Sequence, residues 1–344
     1  MNGIRVPLFA VFLLASSLAC SAATRLLEPD TPTAASIPPT PTTTRILPTP
    51  TLEASCPAET ASILDATNRP SVSSGTFPNV DTGDKVDLPL VTYTIKGDTL
   101  TNPTLVSVPK NLKKYQSDLP TQQKAWDLFT TLIPANQRQM LAEYRVITDG
   151  EGNILGIVEQ TSDNPDKWVL EVDIADIGDT KNLTFTLLHE FGHLLTLNAS
   201  QVPPDLKIFR HPDSDSIYNQ EAAACPYYFP GEGCSLPNSY MNIFFNRFWA
   251  GLYQEWQTID NIQNDIRRQD RLDAFYQKYK DMFVDDYAVT DPSEDIAETW
   301  AYFVLDPRPQ GVSVAEQKLL FFYQYPELTR VRAQILQNLC KVNP

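Results

Sequence analysis

An α+β fold is what this sequence predicts: a small mixed sheet packed on one central helix, with a mostly helical C-terminal part. Three observations lead there. Short runs of β-branched and aromatic residues, separated by turn signals, fill much of the span 85–174. The stretch Thr184–Leu195 (TFTLLHEFGHLL) then switches to helical periodicity. Beyond residue 290 the pattern stays helical, broken by Asp306-Pro307 and again at Pro326.

Taken in order, Lys85–Lys96 and Leu100–Val108 read as short strands leading into the domain. Thr121–Ile133 reads as a helix stopped by Pro134, and Ala135–Glu143 as a second one. Tyr144–Thr148 and Ile154–Glu159 flank Asp149-Gly150-Glu151-Gly152-Asn153, which is a hairpin signal. Trp168–Ile174 supplies a further strand just before the central helix, expected to line a cleft and pair with an extended peptide. Residues 200–285 form a long insert whose aromatics, among them Phe244, Phe248, Trp249 and Trp256, recur at helical spacing and fit core packing. Val314–Tyr323 and Pro326–Cys340 read as two closing helices.

The central helix carries the pattern H-E-x-x-H. His189 and His193 leave the same helix face about one turn apart and can meet at one metal ion, with Glu190 beside them. Leu187, Leu188, Phe191, Leu194 and Leu195 gather on the other side, where they can pack a core while the histidines face a cleft. The chain holds only three histidines and this pentapeptide uses two, which weighs against a pair that is merely packed or solvated. Zinc suits such a pair: it accepts imidazole nitrogens at about 2.0–2.1 Å and lowers the pKa of bound water towards about 7. Glu190 would then take that water's proton. Gly192 costs about 1 kcal/mol against Ala inside a helix, so its presence implies close approach of another element behind the site.

A catalytic zinc needs three protein ligands. The place six residues after His193, where a metzincin carries its third histidine, holds Ala199. His211 lies in a polar, proline-rich loop with no helix to aim it. Glu221, in Asn219-Gln220-Glu221, vaguely resembles the Asn-Glu segment of thermolysin-like enzymes and is the rival third ligand. The preferred one stands in Tyr287–Leu305, where Asp291 or Ser293 can cap a helix, Pro292 falls in its first turn and Asp306-Pro307 stops it. Glu294, Glu298, Ala301 and Leu305 share one face of that helix. Buried carboxylates need partners. Zinc for Glu294 and the outer N–H of a ligating histidine for Glu298 would satisfy both; the bland alternative is a solvated acidic helix edge.

These segments resemble zincins with a glutamate third ligand, most closely the anthrax-toxin lethal-factor-like metallopeptidases and related exported bacterial metallopeptidases. The likeness covers His189–His193 and Tyr287–Glu298. In that family a tyrosine stands seven residues before the ligand glutamate, which opens a Glu-x-x-Ala-Glu helix; Tyr287, Glu294, Ala297 and Glu298 match. The resemblance implies a zincin-like metallopeptidase with zinc on His189, His193 and Glu294, Glu190 as general base and Tyr287 donating to the oxyanion. The insert departs from the family and leaves substrate choice open.

Domain organisation follows from composition. Residues 1–22 carry an early Arg5, an apolar run and small residues, the pattern of a secretory signal. Ser-Leu-Ala-Cys resembles a lipoprotein signal with Cys20 as the lipidated residue; ordinary cleavage after Ala19 or Ala22 stays open. Residues 23–58, rich in Thr and Pro, cannot bury a core and read as a disordered stalk. Residues 59–344 form the catalytic domain. Apart from Cys20 there are Cys56, Cys225, Cys234 and Cys340, with three formal pairings; the Pro- and Gly-containing loop between Cys225 and Cys234 makes a local bridge the expectation, and Cys56–Cys340 would then tie the domain ends.

A net charge of −15 argues against nucleic-acid binding and against electrostatic hold on an anionic membrane. The expectation is an exported, cell-surface or secreted, monomeric zinc metallopeptidase acting on peptides or proteins. Membrane attachment would come only through lipidated Cys20. The alternative is a non-catalytic surface lipoprotein that keeps the zincin fold for binding or scaffolding, against which an intact Glu190 speaks.

Overall fold

The computed structural model describes residues 88–149 and 154–342, so the expected signal, Cys20, the stalk and Cys56 lie outside the described residues. The fold is α+β. Five strands form one mixed sheet: β1 (Leu88–Lys96), β2 (Thr99–Leu105), β3 (Leu141–Thr148), β4 (Gly156–Gln160) and β5 (Trp168–Asp173), in the order β2-β1-β3-β5-β4. Only β3 and β5 run parallel; the other neighbours are antiparallel.

Two expectations about this sheet are corrected. Ala135–Glu143 is not a helix: a single 3-10 turn at Ala135–Gln137 leads into β3, because Leu141, Tyr144, Val146 and Ile147 are drawn into the core between β1 and β5. Pairing on both sides outweighs local helix propensity. Nor do Tyr144–Thr148 and Ile154–Glu159 form a hairpin, since β5 separates β3 from β4. The cause is burial: every residue of β5 is buried, so it takes an inner place, while half-buried β4 is left at the edge.

Eleven α-helices accompany the sheet among the described residues: α1 (Lys113–Gln116), α2 (Leu119–Leu132), α3 (Thr180–Leu197), α4 (Leu206–Arg210), α5 (Asp215–Ala224), α6 (Tyr240–Phe244), α7 (Tyr253–Asp260), α8 (Asp265–Lys278), α9 (Pro292–Leu305), α10 (Val314–Phe322) and α11 (Pro326–Leu339). None is long and apolar enough to cross a membrane. α2 starts as capping chemistry dictates, with the Asp118 carboxylate accepting from the Thr121 N–H at 3.3 Å. It then lays Ala125, Trp126 and Phe129 on the sheet, the Trp126 ring 5.5 Å from that of Tyr144. A π-helical turn, Phe245–Trp249, continues α6, and Phe244, Phe248, Trp249 and Trp256 are buried, so the insert's aromatics join the single core that runs from Leu90 to Val342.

α3 is the centre of the molecule. The Asp179 carboxylate caps it, accepting from the N–H groups of Lys181 and Asn182. It is buried on every side from Leu183 to Leu197 rather than on one face, because α9 covers one flank and β4 another. A Cβ on Gly192 would stand 2.9 Å from Ala297 Cα, and one on Gly156 of β4 would stand 2.9 Å from Thr186 Cγ2 and 3.3 Å from Glu190 Cγ. The close approach expected behind Gly192 is therefore α9. Around that contact Phe191 meets Trp300 at 5.8 Å and Phe185 meets Tyr302 at 5.5 Å between ring centroids, both edge-on.

α9 is tied down at both ends. Near its start the Asp295 carboxylate is fully buried, ion-paired with equally buried Lys318 of α10 at 2.5 Å, and accepts from Trp249 Nε1 at 2.7 Å. At its end Arg332 of α11 donates to the carbonyls of Phe303 at 2.6 Å and Asp306 at 2.7 Å, which would otherwise lack donors. Cys225 and Cys234 form the expected disulfide, with 5.4 Å between Cα atoms. Cys340 is disulfide-bonded as well.

Two outcomes follow for stability. Lys318→Met should lower unfolding free energy by about 3–5 kcal/mol in urea titration, because it strands a buried carboxylate. Gly192→Ala should cost about 1–3 kcal/mol by overpacking against Ala297, read as a lower urea midpoint at unchanged slope.

Candidate metal centre

Asp291 caps α9, accepting from the Ser293 N–H at 2.7 Å, with Pro292 in the first turn as the sequence requires. This turn starts the helix at the right angle for Glu294 and Glu298 to face α3. His189 Nε2 and His193 Nε2 lie 3.0 Å apart, and Glu294 Oε2 stands 3.1 Å from the first and 3.3 Å from the second. Four tetrahedral ligands at about 2.0–2.1 Å from an ion stand about 3.3 Å from one another, so the three atoms already hold nearly the required triangle. They are the one group among the described residues whose ligand atoms are close enough together to hold a metal ion.

The outer nitrogen of His189 is also engaged: Nδ1 and Glu298 Oε2 are 2.5 Å apart in a fully buried contact. The carboxylate fixes the ring and the tautomer that leaves Nε2 free for a metal. Burial alone would lower the pKa of His189, but Glu298 and Glu294 outweigh it and raise it well above the ordinary value. His193 is raised too, burial being outweighed chiefly by Glu294. Burial pushes on Glu294 in the opposite sense, yet the two imidazoles hold its carboxyl well below the usual range. The carboxylates thus favour positive charge at the two imidazoles, and a divalent cation can supply that charge in place of protons.

Glu190 and Tyr287 complete the surroundings. With His189, Thr186 and Ile154–Ile157 they line a cavity of about 120 Å³ beside β4. Burial raises the pKa of Glu190, opposed by both histidines, which suits a group that must pick up and release a proton. Tyr287 is held well above 10 by the Glu294 carboxylate first and by burial second, so its hydroxyl keeps its proton and can donate. Its ring lies 5.7 Å from that of His189.

No family model, no curated protein and no solved structure matches this chain.

Of the residues singled out in the sequence, the structure brings together His189, Glu190, His193, Tyr287, Glu294 and Glu298. It sets two candidates aside. Glu221 of α5 turns to Lys207 at 2.5 Å, because a short helix after the Asp205 cap brings that ammonium alongside. His211 ends the same short helix and is exposed. The strand expected to meet a peptide is also corrected: β5 has neighbours on both sides, and β4 is the strand at the cleft with one edge unpaired among the described residues. A larger cleft, about 810 Å³, opens between α7 and α8 around Ile259, Arg271 and Phe275, and none of the clustered residues lines it.

Two contributors escaped the sequence reading. Gly156 lets β4 sit directly on Thr186 and Glu190. Glu232, inside the ring closed by Cys225–Cys234, is buried, and burial raises its carboxyl pKa against a backbone N–H and, after it, His193. Its position inside a local bridge was visible; its direction was not.

Metal binding at this centre should be strongly pH-dependent. Imidazole must be neutral to ligate, and in the metal-free protein His189 and His193 hold protons above the ordinary histidine pKa. Uptake should therefore release about one to two protons at neutral pH, and affinity measured by chelator competition should fall steadily as pH drops. Glu294→Ala should abolish tight binding, while Glu221→Ala should leave it within about twofold, since replacing a ligand costs far more than removing a surface ion pair.

Proposed function

We propose that this chain is an exported zinc metallopeptidase of the zincin kind. The single observation carrying the reading is the convergence of His189 Nε2, His193 Nε2 and Glu294 Oε2 within 3.0–3.3 Å, with Glu190 and Tyr287 opening on the same cavity. Two imidazoles and one carboxylate are the donor set that borderline metals such as zinc favour in hydrolytic sites. Zinc held there would supply Lewis acidity, making water acidic enough to attack near neutral pH and drawing electron density from a carbonyl.

The chain's own residues do the rest. Glu190 accepts a proton from the attacking water and hands it to the departing amine nitrogen, a shuttle its raised pKa favours. Tyr287 donates its O–H to the carbonyl oxygen as negative charge develops there. The unpaired edge of β4 offers backbone donors and acceptors to an extended peptide, which would then lie beside Glu190. A scaffold that only bound its partner would have no use for a buried, proton-accepting Glu190 aimed into the cavity. Export is supported by the signal-like residues 1–22 and by the disulfide Cys225–Cys234.

Cleavage of a peptide library, lost with a chelator and restored by zinc, is the direct test. Glu190→Gln should keep metal content and lower turnover by about 10²–10⁴-fold. Tyr287→Phe should keep metal content and lower kcat by about 10²–10³-fold. Wild-type turnover in either variant would remove the corresponding residue from the mechanism.

A further inference from the structure

α7 and α8 pack against each other, and the cleft of about 810 Å³ between them has a layered lining. Its floor is apolar: Ile259 and Ile262 are half-buried and Phe275 is buried. On its rim Arg267 and Arg271 stand one turn apart on the same face of α8, both exposed. Neither guanidinium has an ion pair or a hydrogen bond among the described residues. The third cation, Lys278, is already met by both oxygens of Glu255 at 2.8 Å. Asp270 and Asp273 of the same helix do not line the cleft. Three cations against one carboxylate leave two positive charges over an apolar floor, in a chain whose net charge is −15. Like charges one turn apart on a helix repel, so this arginine pair weakens α8 rather than supporting it.

We propose that this cleft docks an acidic amphipathic segment of a partner protein: two carboxylates about one helical turn apart pair with Arg267 and Arg271, and an aliphatic side chain between them enters towards Ile259, Ile262 and Phe275. Each guanidinium presents a planar fork that matches a carboxylate with two parallel hydrogen bonds. Pairing also relieves the repulsion between the two arginines. The volume falls in the range of about 300–1,000 Å³ usual for ligand sites, which suits a short segment. Polar groups of the segment find partners as well. Asn264 uses its Oδ1 to accept the N–H of Arg267 at 2.9 Å, and its NH₂ group stays available in the lining together with the Gln263 amide. An acyl chain would cover those amides without pairing them and would bring one carboxylate for two guanidiniums, so the lining favours a peptide over a lipid. The cleft shares no residue with the cavity beside Glu190, and the inference holds whether or not the chain cleaves peptides.

The probe is a fluorescein-labelled helical peptide of about three turns, carrying two glutamates at i and i+4 with a leucine between them. Its counterparts carry glutamine or lysine in place of both glutamates. Anisotropy titration of the mature wild-type chain should give a Kd below about 100 μM for the glutamate peptide at low salt, rising as salt is added. R267E/R271E should bind that peptide at least about tenfold more weakly and take up the lysine peptide instead. Ile262→Ser should weaken binding at least about threefold and leave the salt dependence as it was. Should the charge reversal unfold the chain, R267Q/R271Q decides: a loss of about tenfold supports the inference and an unchanged Kd overturns it. No binding of the glutamate peptide by wild type at about 1 mM overturns it, as does equal binding by a folded R267E/R271E. Equal binding of the glutamine peptide also overturns it, since the arginines would then read nothing. Palmitate or phosphatidylglycerol vesicles bound more tightly than the peptide would reassign the cleft to a lipid, and arginine-dependent self-association in sedimentation velocity would reassign it to a second copy of this chain; either result overturns the proposal.

Discussion

The contact between Gly192 of α3 and Ala297 of α9 is the constraint on which the site depends. A hydrogen in place of a side chain lets the two helix backbones approach until a Cβ would stand 2.9 Å from Ala297 Cα. Glu294 and Glu298 lie on either side of that point along α9, so one reaches Nε2 of His189 and the other Nδ1 of the same ring. A wider separation would leave both carboxylates short of the imidazole. The helix-propensity cost of glycine is thus offset by a geometry that no larger residue permits.

Close approach alone does not fix rotation about the axis of α9, and rotation decides where the glutamates aim. Asp295, next in sequence to Glu294, points away from the site into Lys318 and Trp249. Arg332 holds the far end through two carbonyls. The helix is pinned on its back and at its terminus, while its front carries the ligands. Rigid support of this kind is what a metal site needs, since misplacement by about 1 Å is costly in both affinity and rate.

Much of this was legible in the chain. His189, Glu190 and His193 announce themselves by spacing, and the cap, proline and stop around Pro292–Leu305 define the second helix without help from packing. Gly192 signalled a close neighbour, though not which one. What local pattern could not supply was strand order. β3 looked helical over Ala135–Glu143 because the pairing that makes it a strand comes from β1 and from β5, far away in sequence. The strand expected to meet a peptide was β5 rather than β4 for the same reason: edge and centre are properties of the assembled sheet.

The buried pair of Lys318 and Asp295 bears on how such a chain drifts over time. The ammonium lies 4.0 Å from the centre of the Phe283 ring and has a relative exposure of 0%, so neither charge can be hydrated if the other disappears. An apolar pair of similar bulk would serve as well, but the single substitutions on the way there are each the worse neighbour of two good states. Homologues are thus expected to hold both charges or neither, and the positions to change together. Such a correlated exchange, found in an alignment, would mark the depth at which the lineage crossed from an ionic to an oily back for its ligand helix.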